Sequence, residues 1–136
     1  MALISSALAS VPKAACVVAA AGWGISVIGV FAPSETVFAL LSQLADEPIR
    51  PQPMLEYWLR MCALGFTGIG LLFAAALIPA NARLRLPLGL FQLVTAAALA
   101  GWNLNNGISA DCQIWDGVFL ATTGIPITAW GIVGRP

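Results

Sequence analysis

Four long apolar runs alternate with short polar segments along this 136-residue chain. The first covers about residues 14–31, opening after Lys13 and closing at Ala32-Pro33. The others cover about 54–78, 87–104 and 115–133. A bilayer core about 30 Å thick takes roughly 20 apolar residues wound as a helix, so each run predicts one membrane span. Between the first two, Pro33 precedes a stretch in which Val37, Leu40, Leu41 and Leu44 share one helical face. This predicts an amphipathic helix over about 34–44, too short to span and suited to the interface or to the side of the bundle.

The connections differ in kind. Residues 46–53 carry Pro48, Pro51 and Pro53 and predict a rigid polar linker, because closely spaced prolines cannot continue a helix. Residues 79–87 hold Arg83 and Arg85 in a compact basic turn, with Pro87 placed to open the third span. Residues 105–113 are polar and turn-rich, Asn106-Gly107 reading as an ordinary turn. In the first span Gly22, Ser26 and Gly29 fall on one face, a seam where another backbone could come close. The fold class is an all-α membrane protein: one domain, an antiparallel four-transmembrane-helix bundle with a short amphipathic helix between spans 1 and 2.

Composition strengthens the membrane reading. The chain is 60% hydrophobic and only 9% charged, with a mean hydropathy of +0.90, where soluble domains carry about 25% charged residues. No histidine is present, which removes a histidine-ligated haem and a His-containing zinc site from this chain. No nucleotide-binding loop, nucleophile motif or nucleic-acid-binding basic patch occurs. The first positive charge, Lys13, comes directly before the first apolar run, so that run reads as a retained helix rather than a secretory signal.

Net charge is zero, yet the charges are sorted. Glu35, Asp46, Glu47, Glu56, Asp111 and Asp116, with Arg50 and Arg60, fall at one set of span ends, and Lys13, Arg83, Arg85 and Arg135 fall at the other. The positive-inside rule then puts both termini and the basic turn in the cytoplasm, and residues 35–53 and 105–113 on the outer side. Tyr57, Trp58, Trp102 and Trp115 mark outer span ends and Trp130 an inner one. Trp23 falls mid-span and reads as a packing residue.

Candidate chemistry gathers at the outer ends. Glu56 and Arg60 are one turn apart, in the order that favours an ion pair. Arg60 sits about 6 Å deeper along the helix, where a charge needs a partner. Together with Trp58, Trp102, Asn103 and Asp116 the pair forms either a small ligand pocket or a polar clasp that fixes helix ends. Asn103 is placed to hydrogen-bond between helices. Thr122, Thr123 and Thr128 can bond to their own backbone and help repair the ladder interrupted by Pro126. Cys62 and Cys112 share the outer half, where an oxidising compartment would permit a disulfide, and Cys16 reads as a small apolar residue.

Glu56-Tyr57-Trp58-Leu59-Arg60-Met61, followed by Leu64-Gly65-Phe66-Thr67-Gly68-Ile69-Gly70-Leu71-Leu72, resembles the small four-helix bacterial membrane proteins grouped as DoxX-like and BphX-like. The resemblance implies a four-span plan in a bacterial inner membrane and a charged Arg60 near the outer face. Some relatives are membrane partners of oxidoreductases linked to quinone or thiol redox chemistry. The cysteine pair of the thiol-handling relatives is missing here, which argues against disulfide exchange.

The leading functional expectation is an accessory or interaction subunit without catalysis of its own, partnered by lipid and by another membrane protein or a second copy of itself. The alternatives are a quinone- or lipid-binding subunit of an oxidoreductase, with the ligand beside Arg60, Trp58, Asn103 and Trp102, and an oligomeric transporter or channel. No cofactor is predicted for the chain alone.

Overall fold

The computed structural model describes the backbone of residues 2–45, 47–106 and 110–133, and within them the side chains of 10–43, 45, 47–102 and 116–133. Every regular element among the described residues is helical: α1 (Ala2–Gly24), α2 (Val27–Phe31), α3 (Ser34–Ala45), α4 (Pro53–Ala76), a 3₁₀ helix (Pro79–Leu84), α5 (Arg85–Asn106) and α6 (Ala110–Val133). Four segments, Ser10–Phe31, Pro53–Ala76, Pro79–Trp102 and Asp116–Val133, are long and apolar enough to cross a membrane. α1 packs against both α4 and α6, α5 packs along α6, and α2 rests on α4.

The first apolar run was expected as one continuous helix over 14–31; it is broken. α1 already runs from Ala2, ends at Gly24, and the chain tightens before α2. Ser26, Ile28 and Gly29 each donate to the carbonyl three residues back, at 3.3, 3.0 and 2.9 Å, the tighter pattern of a 3₁₀ turn. Two glycines and a serine within residues 24–29 lower the helix preference there, so the local break costs little.

The polar link expected over 105–113 is mostly helical. α5 extends through Asn106 and α6 begins at Ala110, leaving residues 107–109, with Gly107 of the expected turn, outside the described residues. Asparagine and aspartate are only mildly unfavourable in helices, and continuing the backbone ladder outweighs that preference. Similarly, the basic turn is a 3₁₀ helix, and α5 starts two residues before Pro87. Pro87 remains in the first turn, where its missing N–H interrupts no helical bond. The linker before α4 ends at Gln52 in extended conformation, and Pro53 takes the first helical position.

In α3 the expected apolar face is rotated. Phe38 is buried and Val37 and Leu41 half-buried, but Leu40 points outward. Phe38 is the larger side chain, and burying it removes more apolar surface from its surroundings than burying Leu40 would.

The core is built from small residues around a few large ones: Ala15, Cys16, Ala19, Phe73, Ala76, Leu88 and Ile127. The Cys16 thiol donates to the Phe73 carbonyl at 3.1 Å. Helices approach closely where side chains are absent. A Cβ on Gly70 would sit 2.6 Å from the Gly24 nitrogen, and one on Gly89 or Gly131 would collide with the backbone of Thr128 or Leu86. Backbone contact in the first span is thus carried by Ala20 and Gly24. On the predicted seam, Gly22 faces the Phe119 ring and Gly29 faces Ala63.

Candidate functional site

The Glu56–Arg60 pair forms, and it reaches further than an ion pair. Arg60 Nε and Nη2 donate to Glu56 Oε1 at 3.0 and 2.8 Å, while Ser34 Oγ donates to the same oxygen at 2.5 Å. Arg60 Nη1 donates to the Val30 carbonyl at 2.7 Å, and Nη2 to the Ala32 carbonyl at 3.1 Å. These carbonyls lie at the end of α2, where helix geometry leaves acceptors without partners. A guanidinium satisfies several of them at once because its five N–H groups spread in a planar fork. Sequence reasoning paired Arg60 with Glu56 but did not find the carbonyls, which are about 30 positions away in the chain. The side chains of Arg60 and Glu56 are 30% and 29% exposed.

The hydrogen bonds of this pair go to Ser34, Val30 and Ala32 and to none of the other expected site residues among those described. Trp58 is 59% exposed and meets Tyr57 edge-on, ring centroids 5.6 Å apart. Trp102 is also exposed. Asn103 is part of α5, but its side chain lies outside the described residues. Asp116 opens the fourth apolar segment and rims a cleft of about 430 Å³, where it joins Trp23, Ser26, Phe66, Leu99 and Phe119. The structure therefore joins Glu56 to Arg60 and sends Asp116 to a different place. Cys62 is a free, exposed thiol, and the side chain of Cys112 lies outside the described residues.

Trp23 organises the cleft. Its ring packs against Phe66, Phe91 and Phe119 with centroids 5.2, 5.9 and 6.3 Å away, in the tilted and edge arrangements that aromatic quadrupoles favour. Its indole nitrogen is buried without a hydrogen-bond acceptor among the described residues. Gly22 leaves the space into which the Phe119 ring is seated.

A second polar centre, unforeseen in the sequence, involves Arg85. Expected in a compact basic turn, it is 9% exposed, donates from Nε to the Ala76 carbonyl at 3.1 Å, and lies 3.5 Å above the Trp130 ring. It thus closes the end of α4 by a carbonyl bond and a cation–π contact. The nearby threonines do only part of what was expected. Thr122 donates to the Val118 carbonyl at 2.5 Å and Thr123 to that of Phe119 at 2.6 Å, upstream of the carbonyl that Pro126 deprives of a donor. Thr128 Oγ1 is buried without a partner among the described residues. Gln92, fully buried, offers Oε1 as an alternative acceptor to Thr123 at 3.0 Å.

Compared with known proteins, the chain matches no family model, no curated protein and no solved structure.

Proposed function

We propose that this chain is an integral membrane protein of four antiparallel spans, DoxX-like in plan, that acts as a non-catalytic accessory subunit. Both termini lie in the cytoplasm of a bacterial cell, and the Arg60 end faces outward across the inner membrane. The observation that carries the reading is the use made of Arg60. Its guanidinium is committed to Glu56 and to the carbonyls of Val30 and Ala32, so the most conspicuous charge in the sequence serves to hold helix ends together.

A place for a partner supports the same reading. Gly65 and Gly68 on α4 face open space, one turn apart, and let another helix backbone approach. Purification in mild detergent with crosslinking is expected to recover a stoichiometric membrane partner or a second copy, and Gly65→Leu with Gly68→Leu to release it. A monodisperse, partner-free particle with full activity of its own would overturn the proposal. The ligand-binding alternative moves from Arg60 to the Trp23 cleft, where an apolar cavity with few polar groups suits a lipid-soluble molecule.

A further inference from the structure

Among the described residues, Asp116 is the only ionisable side chain on the wall of the Trp23 cleft, where it stands exposed at the rim with no hydrogen-bond or ion-pair partner. The neighbouring walls are aromatic and aliphatic: Trp23, Phe66 and Phe119 with Leu99 and Leu120, and the Ser26 hydroxyl supplies further polarity. Helices α1, α4, α5 and α6 all contribute. In the bilayer placement proposed above, an unpaired carboxylate at the edge of a span is costly and marks a place where a countercharge belongs. Arg60 cannot provide it, being held by Glu56 and the α2 carbonyls.

We propose that this cleft binds a lipophilic organic cation, with its positive charge against Asp116 and its apolar body against the rings of Trp23, Phe66 and Phe119. Aromatic faces carry negative quadrupole potential, so rings grouped beside a carboxylate attract a diffuse cation while its hydrocarbon groups fill the apolar walls. A volume of about 430 Å³ lies within the range that encloses small ligands, roughly 300–1,000 Å³. The site is therefore selective for charge sign as well as for apolar bulk. A neutral molecule of the same shape gains the walls but not the carboxylate. A small hydrated ammonium ion gains the carboxylate but not the walls.

The test is equilibrium dialysis of radiolabelled tetraphenylphosphonium against the full chain in mild detergent, with triphenylphosphine oxide as a neutral competitor of similar shape. Saturable binding is expected, weakened at least tenfold by Asp116→Asn, retained in Asp116→Glu, and little affected by the oxide. Trp23→Leu, which keeps the carboxylate, is expected to weaken binding several-fold. Binding to Asp116→Asn equal to that of the unaltered chain, or equal competition by the oxide, would overturn the proposal in favour of a neutral lipid site. Should Asp116→Asn fail to fold, unchanged binding in Trp23→Leu would overturn it by itself. Partner crosslinking is read separately, so this proposal and the accessory role can fail independently.

Discussion

The two arginine centres solve the same problem with different partners. Each places a guanidinium on carbonyls at the end of a helix, Arg60 on Val30 and Ala32 after α2, and Arg85 on Ala76 at the end of α4. Arg60 balances its charge with Glu56 and keeps about a third of its side chain exposed. Arg85 has no carboxylate in contact among the described residues, lies buried, and uses the face of Trp130 instead. The more accessible centre is an ion pair that solvent and salt can reach. The enclosed one depends on shape, because a ring face and a carbonyl replace an acid only if the guanidinium is held flat against them.

The largest effect that would break this comparison is expected at Arg85. Arg85→Ala removes the carbonyl bond and the cation–π contact and leaves a void over Trp130; a loss of about 3 kcal/mol in unfolding from detergent micelles is expected. Arg85→Met, which restores the volume, should recover part of it, since refilling a buried charged site with apolar atoms often costs little. If Arg85→Ala unfolds no more easily than the unaltered chain, the enclosed centre does not hold α4 to α5.

Arg60→Ala is expected to cost less, about 1–2 kcal/mol, because the freed carbonyls at the end of α2 lie near solvent. Trp130→Leu comes next, about 1 kcal/mol from the lost cation–π contact with the carbonyl bond of Arg85 left in place. The smallest effect sharpens the contrast by salt. Raising ionic strength from low to about 1 M shortens the screening length to roughly 3 Å, and should lower the melting temperature difference between the unaltered chain and Glu56→Gln while leaving that between the unaltered chain and Trp130→Leu unchanged. Equal salt dependence of both would remove the distinction between the two centres.

Much of the fold was legible because it is local. The apolar runs, the amphipathic stretch at 34–44 and the proline linker each follow from neighbouring residues, and the structure places helices or extended chain accordingly. Helix ends were less legible. The tightening at residues 24–29 and the helical course of Asn105, Asn106, Asp111 and Cys112 depend on small propensity differences that packing and ladder continuity override. Of the candidate site, Glu56 with Arg60 was readable from a four-residue spacing. Asp116 in a separate aromatic cleft was not, and neither was Arg85 over Trp130. A turn signal around residues 79–87 says where the chain reverses but not how helix rotation sets a side chain at its edge.

The sequence by itself determined that the chain is helical in four long apolar segments and that its charges are sorted between their ends. These follow from hydropathy, segment length and the need of each backbone polar group for a partner within its own segment. Only the tertiary structure decided which charges meet carboxylate, carbonyl or ring, and which one is left facing a cleft. The contacts of Arg60 reach carbonyls 28 and 30 positions away, and that of Arg85 a ring on α6. They depend on how each helix is turned about its axis where Gly24 meets Gly70 and Gly89 meets Thr128, and close packing fixes that rotation through all its neighbours together.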